Sequence, residues 1–306
     1  MTNWQQVFER FRITAEDAIF FPSAEHYGFG ALMVLMANLP QELRPKVHAR
    51  LIAVLEGASA KSEFGRAELF KSVALARKTG VDVSFSAETL AYQDYLKNIF
   101  REDIYLLQYP IFGRPTVVNW KKRPFKIVTP GQGRADKGFF EILKLANLLK
   151  SSHGEGEVEI VLQKMKPTDV YYRQSYVQSL LEHPMISVKP AFVEEDELDW
   201  MYRDSHVLFM PYARDVYAQR GSAVFQEGVS RGRCFIASDG TGVSGMIRHY
   251  ENGILVKDMQ NVADAVSRFM GMSQTEAFAM SHHARCTYQD DFNDQFGRLC
   301  GTLSGE

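Results

Sequence analysis

The sequence predicts an α/β fold of two parallel-sheet units, on three observations. Short apolar, β-branched runs alternate with helical patterns along nearly the whole chain, the mark of βα units around parallel sheets. The alternation breaks at Tyr109-Pro110-Ile111-Phe112-Gly113-Arg114-Pro115, and Trp120-Lys121-Lys122-Arg123-Pro124 follows as a basic, proline-ended connector. The 306 residues suffice for two units at ~150 residues per domain.

Taken in order, Ala18-Ile19-Phe20-Phe21 reads as the first strand, ended by Pro22-Ser23, with a helix from Tyr27 to Leu39 behind it. The run from Arg50 to Leu55 reads as the second strand. Leu69, Val73, Leu75 and Ala76 stand at helical spacing between Ala67 and Lys78. Val81 to Phe85 and Ile104 to Leu107 read as the third and fourth strands, with a helix from Glu88 to Phe100 between them. Past the connector, Phe125 to Val128 is a strand, then comes a glycine-rich turn and a helix from Lys137 to Lys150. Phe139, Ile142, Leu143, Ala146 and Leu149 give that helix an inward face. Further strands read at Val158 to Leu162, Ile186 to Val188, Val207 to Met210 and Cys234 to Ala237. Helices separate them near Tyr171, Asp196, Ala223 and Val262, and a last helix lies within Thr275 to Leu303. The expected division is residues 1–115, 116–280 and a closing helical segment 281–306 that returns to the first domain.

Composition excludes several classes. With 45% hydrophobic and 24% charged residues, 22 Gly and 11 Pro, the chain is neither collagen-like nor disordered. Lys+Arg of 35 against Asp+Glu of 37 leaves a net charge of −2, which argues against duplex nucleic acid as a partner. Cys234, Cys286 and Cys300 are odd in number and widely spaced, so neither a disulfide framework nor a zinc site is expected. Met1 to Gln6 has no basic region leading into an apolar one. The most apolar window, Ala31 to Ala37, falls far short of the ~20 residues that span a bilayer. A cytoplasmic protein is expected.

Three patterns at strand-to-helix junctions carry the chemistry, because parallel sheets present ligands beyond their carboxyl edges. In Thr129-Pro130-Gly131-Gln132-Gly133-Arg134-Ala135-Asp136-Lys137-Gly138, the glycines admit a ligand close to the backbone. Arg134 and Lys137 offer charge-assisted bonds to a diphosphate. The loop is neither a dinucleotide fingerprint nor a Walker A loop; its plain alternative is a tight turn with exposed cations. Next, Pro211-Tyr212 leads through Gln219-Arg220-Gly221-Ser222 into a helix carrying Glu227. A carboxylate there suits the paired hydroxyls of a sugar, although a lone Glu on a helix is more often a solvated face. The third pattern is Asp239-Gly240-Thr241-Gly242-Val243-Ser244-Gly245 before the Asn252-Gly253 turn pair, a ligand wrap or simply a long loop.

In order and spacing these patterns resemble the donor-binding half of the GT-B glycosyltransferases of family 4, retaining enzymes that use nucleotide sugars. The likeness runs from Phe125 to Met270. It includes Gly131 with Lys137-Gly138, Glu195-Asp196-Glu197-Leu198 before Tyr202, Pro211, Glu227-Gly228 with Gly232, and Asn252-Gly253-Ile254-Leu255-Val256. It implies two Rossmann-like βαβ domains facing each other across a cleft, with Lys137 on the donor diphosphate and Glu227 on the donor ribose. The family's diphosphate arginine is here Gln132, with Arg134 two residues later as its substitute. The first glutamate of the family's Glu-x7-Glu pair is here Gln219, beside Arg220-Gly221-Ser222. Catalysis would rest on Lys137, Arg134 and Glu227, and donor binding on Gly131, Gln132, Gly133, Gln219, Arg220, Gly221 and Ser222. No metal and no cofactor beyond the co-substrate sugar nucleotide is implied.

A glycan or lipid-linked acceptor would meet the first domain. His26 and Gly28, in the segment opening the first helix, and Glu56 and Glu88, near strand ends, are the acceptor-side candidates. Trp4, Val7, Phe8 and Phe11 stand at helical spacing. They serve either packing or peripheral membrane contact, and Lys121-Lys122-Arg123 is either solvated surface or a lipid-phosphate contact. Two other readings stay open: a nucleotide-sugar-binding partner subunit of a glycosylation complex, motivated by Gln132 and Gln219, and a GT-B epimerase.

Overall fold

The computed structural model describes residues 4–53, 59–111, 113–154, 156–166 and 174–304, with backbone alone for 59–62. Two compact units divide it: Met1–Tyr109 with Asp215–Gly221 and Asp290–Glu306, and Pro110–Arg214 with Ser222–Gln289.

The first unit holds a four-stranded sheet in the order β1-β2-β3-β4, formed by Ala18–Ala24, Lys46–Leu51, Val83–Ala87 and Ile104–Leu106, all parallel. Helices α1 (Trp4–Phe11), α2 (His26–Asn38), α3 (Ser59–Thr79) and α4 (Leu90–Phe100) belong to it. Phe29, Leu32, Met33 and Met36 of α2 pack with Val47, Ala49 and Phe85 of the sheet. Trp4 and Phe8 of α1 join that core, and the Trp4 indole donates to Gly28 O at 2.9 Å.

Two strand assignments change. β1 runs on through Pro22-Ser23 to Ala24, with its register slipping between Phe21 and Ala24. That irregularity is how a strand carries a proline, which has no N–H for the ladder. The second strand lies four residues earlier than Arg50 to Leu55, as Lys46–Leu51; residues 54–58 are outside the described ones. His48 disguises its first half, because a histidine there reads as a surface residue while it is buried, as Arg50 is too. Tertiary partners meet their other polar atoms, with Arg50 Nη2 left buried without a hydrogen-bond partner among the described residues. His48 Nδ1 bonds Ser84 Oγ at 2.7 Å and Nε2 bonds Ser86 Oγ at 2.8 Å, across the β2–β3 ladder. Arg50 donates to Leu107 O at 2.6 Å and Pro22 O at 3.0 Å, with the Tyr109 ring over its guanidinium.

The second unit holds a six-stranded parallel sheet. Its strands are β5 (Phe125–Thr129), β6 (Val158–Gln163), β7 (Ile186–Lys189), β8 (Val207–Met210), β9 (Cys234–Ser238) and β10 (Gly253–Val256), in the order β10-β9-β8-β5-β6-β7. The order reverses on either side of β5, the usual place for a ligand crevice in an open α/β sheet. The helices that follow along the chain are α5 (Ile142–Ser152), α6 (Gln174–Glu182), α7 (Glu195–Arg203), α8 (Arg214–Tyr217), α9 (Ala223–Ser230), α10 (Gly242–Tyr250), α11 (Met259–Gly271) and α12 (Gln274–Ser304); α8 from Asp215 and α12 from Asp290 group with the first unit. The helix expected near Tyr171 falls on residues outside the described ones, and α6 is the described helix there. The helix expected from Lys137 starts only at Ile142, after two 3₁₀ turns about Gly138 at φ +74°. The glycine-rich run from Asp239 is a loop only to Thr241, whose hydroxyl caps α10 by accepting from Ser244 N. No described helix is long and apolar enough to cross a membrane.

Burial holds His48 near pKa 4, well below 6.5. The unfolded chain therefore takes up this proton between pH 6.5 and 4 while the folded chain does not. The stability from neutral His48 is complete above pH 6.5 and is lost as pH falls toward 4, by up to about 3 kcal/mol. His206 behaves alike in the second unit, just before β8, also near 4. Urea unfolding followed over this range is expected to lose stability on acidification, and His48→Gln to flatten the dependence; an unchanged pH slope in the variant would contradict the assignment.

Candidate functional site

At the carboxyl end of β5 the chain enters the loop Pro130 to Arg134. Gln163, the buried last residue of β6, accepts from Gly131 N through its side-chain oxygen, and Gly133 N donates to Lys164 O at 3.2 Å. A side chain at Gly133 would run into the Phe139 ring and Gln163 O. The loop is thus fastened to the edge of the sheet, and only glycine fits there.

The chain then turns through Ala135–Lys137 and reverses at Gly138. Pro211, directly after β8, lies against Gly138 so closely that a Cβ would overlap its carbonyl. Ala213 N donates to Asp136 O at 2.9 Å from the same segment. This turn brings the Lys137 ammonium over the loop: a Cβ on Gly131 would stand 3.4 Å from Lys137 Nζ and 3.4 Å from Val224 of α9. Gly131, Gln132, Arg134, Lys137, Tyr212 and Val224 line one pocket, floored by Phe139, Phe209 and Gln163.

The electrostatics of this pocket favour an anion. Lys137 is half-buried, and its Nζ has no hydrogen bond or ion pair with the described residues. Burial holds its pKa below the usual lysine value, Arg134 lowers it further, and Asp136 offsets part of this. Arg134 is tied by its Nε and Nη2 to both oxygens of Asp136. Gln132 Nε2 is buried without a hydrogen-bond acceptor among the described residues, so the pocket holds an unused neutral donor beside an unused cation. An unmet buried donor costs about 1–3 kcal/mol, and a bound anion would satisfy Gln132 Nε2 while pairing with Lys137.

Helix α9 closes one side. Ser222 caps it, accepting from Phe225 N at 3.4 Å, and sits 3.1 Å from the Tyr212 hydroxyl. Gly228 lets α9 lie directly on Leu208 of β8 and Phe235 of β9. Glu227 is in the second turn of the helix. Its carboxylate lies 3.8 Å from Arg231 Nη1; burial, and then the charge of Glu227, hold the Tyr202 phenol well above its usual pKa. Arg231 in turn stacks over the Tyr202 ring and reaches Asp199 at 3.5 Å. Gln163, Asp136 and Tyr202 had no chemical role in the sequence reading. Only Gln163 left a signal, a polar residue at the carboxyl end of a parallel strand.

Gln219, Arg220 and Gly221 group with the first unit, and there they meet Glu88. Ala53 N donates to Glu88 Oε1 at 3.1 Å, and Arg220 Nε donates to Ala53 O at 2.7 Å. Thr89 Oγ1, the cap of α4, donates to Gln219 O at 2.6 Å. Gly221 lies so near Glu88 that a Cβ would be 2.8 Å from its carboxylate. Gln219 Oε1 is buried without a donor among the described residues. His26 is in a groove between α2 and α3 with Glu68, Lys71 and Ser72. The amino end of α2 is capped by Glu25, which accepts from Tyr27 N and Gly28 N. Gly28 has Phe21 and Glu25 against it. Glu56 lies outside the described residues. Among the described residues, no three His, Cys, Asp or Glu side chains are placed to hold a metal.

Two α/β units with parallel sheets, one presenting a glycine loop and a lysine unpaired among the described residues at the point where its strand order reverses, are the architecture of the GT-B class. The chain belongs to the family described as glycosyl transferases group 1, whose pattern matches residues 115–285. No curated protein matches the sequence. Solved structures do match. A UDP-forming α,α-trehalose-phosphate synthase from Burkholderia xenovorans is 15% identical over 98% of this chain and 78% of its own, with a TM-score of 0.68. Sucrose-phosphate synthase from Thermosynechococcus elongatus is 14% identical over 98% and 76%, at 0.72. HepE from Anabaena, solved with UDP, is 14% identical over 99% and 82%, at 0.70. At such identities the likeness is one of fold.

Gly138→Ala is expected to lower stability by at least the ~1–3 kcal/mol of a strained left-handed residue, because Pro211 adds a clash. Gly80, at φ +66° with open space where its Cβ would stand, is the control. Thermal unfolding is expected to show the larger fall in Tm for Gly138→Ala; equal falls would remove Pro211 from the account.

Proposed function

We propose that the chain transfers a sugar from a nucleoside-diphosphate donor to a glycan or related acceptor, with the family-4 outcome of retained anomeric configuration and without a metal ion. One observation carries this reading: the unpaired Lys137 ammonium over the Gly131 loop. Breaking the bond between sugar and diphosphate builds negative charge on the leaving phosphate, and preorganised cations and N–H dipoles stabilise that charge. Lys137 supplies the cation, and Gln132 Nε2 supplies a neutral donor where the family carries arginine. The amino end of α9 adds the favourable end of a helix dipole through Val224. Arg134 contributes once the phosphate competes with Asp136 for its fork.

Glu227 takes the donor ribose, held in place by Tyr202 and Arg231. With Gln219 in place of the first glutamate of the Glu-x7-Glu pair, the chain has one carboxylate fewer for the sugar. The acceptor meets the first unit, where Glu88 is the strongest candidate because Ala53 and Gly221 fix its carboxylate. Gln132 and Gln219 also support a second reading, a partner subunit that binds the donor without turning it over.

A panel of UDP-, GDP-, ADP- and dTDP-sugars is expected to yield one that raises Tm and is hydrolysed or transferred, with turnover unchanged by chelator. Lys137→Ala is expected to lower kcat/KM by about 10²–10³ while the fold is retained. Donor binding with no turnover would establish the partner reading, and neither binding nor turnover would end both. Donor affinity is also expected to fall as pH rises through the Lys137 pKa, which lies below the ordinary lysine value. The protonated amine binds the diphosphate and the neutral amine does not. Lys137→Arg is expected to abolish that fall, and an affinity flat with pH in the native chain would exclude Lys137 from the phosphate.

A further inference from the structure

The second unit has a second cavity, at the opposite edge of its sheet from the donor loop. It lies where β5, β8 and β9 begin: Trp120 precedes β5, His206 precedes β8 and Gly232 precedes β9. The first turns of α12 form its outer wall. Its volume is about 240 Å³. A neighbouring cavity, also about 240 Å³, continues along α12 past Ser230 and Tyr288. Pro115 and Arg285 line both. Each lobe alone is just below the ~300 Å³ at which small-molecule sites begin, and joined at Arg285 they enter that range.

The two lobes differ in chemistry. The lobe beside Trp120 is apolar on one side, walled by Val117, Trp120, Ala277 and Phe278. Val117 is 73% exposed and Phe278 is 46% exposed, so large apolar groups form a lip around a hollow, an arrangement that marks binding surfaces. The charges point one way. No aspartate or glutamate is among the described residues lining either lobe. Arg231 is already engaged by Asp199 and Glu227. His206 is neutral near pH 7, since burial takes it to about 4, and both its nitrogens are used, on Lys126 N and Asn119 O. His282, at the rim, stacks on Phe278 and contacts Cys286 Sγ. Arg285 is half-buried between the lobes and makes no hydrogen bond or ion pair with the described residues.

We infer that this two-lobed cavity binds an amphipathic anion, its phosphate or carboxylate on Arg285 and its apolar part between Trp120 and Phe278. Charge complementarity selects the head: a guanidinium unpaired among the described residues, in a lining without a described carboxylate, takes an anion, and its planar fork matches phosphate and carboxylate oxygens. The dry Trp120 wall and exposed lip select the tail. The site is independent of the donor loop and does not rest on the reading given to Lys137.

Octyl phosphate is the probe, used on the full chain below its micelle concentration, with inorganic phosphate and octyl glucoside as its head-only and tail-only counterparts. Calorimetry is expected to show saturable one-site binding of octyl phosphate, at least tenfold tighter than either counterpart. Arg285→Gln is expected to weaken it tenfold or more. Val117→Asp, at an exposed position that does not threaten folding, is expected to weaken it similarly by placing a like charge on the lip. UDP at saturation is expected to leave the affinity unchanged. The inference is overturned by absence of saturable binding, by octyl glucoside or phosphate binding as tightly, by affinity that survives both substitutions, or by competition from UDP.

Discussion

The candidate site depends on one close approach, Pro211 against Gly138. Pro211 ends β8, and Gly138 reverses the chain after the loop that follows β5; the contact therefore pins two adjacent strand ends to each other. Only a residue without Cβ fits, at φ +74°, where other residues are disfavoured by about 1–2 kcal/mol before any clash. Because Gly138 turns there, Lys137 points back over Gly131 instead of outward along a helix. Ala213 N on Asp136 O fixes the same turn from the other side. That lysine is half-buried and unpaired among the described residues, and it stays so because the nearest carboxylate, Asp136, is occupied by Arg134.

In the first unit the corresponding constraint is the carboxyl end of its sheet, where polar groups are buried and must be matched. Ala53 has both faces of its peptide taken, N–H by Glu88 and C=O by Arg220. The short segment 215–221 is held there by Thr89 as well. An arginine and a glutamine that the sequence reading sets beside the donor phosphate thus have backbone duties at the end of β2 and β3. Arg50 and His48 deeper in the same sheet follow the same rule: each is buried and each meets backbone carbonyls or serine hydroxyls in place of water.

Much of the fold was legible because its signals are local. The strands at Val207–Met210, Cys234–Ser238 and Val158–Gln163 are apolar runs with the length and β-branching of buried parallel strands. The helix at Met259–Gly271 shows its apolar stripe and its Asp258 cap. What escaped was non-local. β2 was displaced because His48 reads as a surface residue until Ser84 and Ser86 supply its partners from a strand tens of residues away. The delayed start of α5 was hidden because nothing near Gly138 in the sequence announces Pro211. Tyr202 and Gln163 gained their chemical neighbours only through the packing of α7 on α9 and of β6 on β5.

The sequence by itself determined that this is a two-sheet α/β protein, because periodicity, glycines and breakers act through short stretches of chain; the GT-B class it indicated only through the resemblance carried by the donor-loop motifs. It also determined the inventory at the donor loop: Gly131, Gln132, Arg134, Lys137. Tertiary structure decided which of those groups are available. Among the described residues, Arg134 is bound to Asp136, Lys137 is not bound, and Gln132 keeps a buried donor unmet. Availability is a matter of which partner stands within hydrogen-bond reach, and in a parallel sheet those partners come from crossover connections distant in sequence.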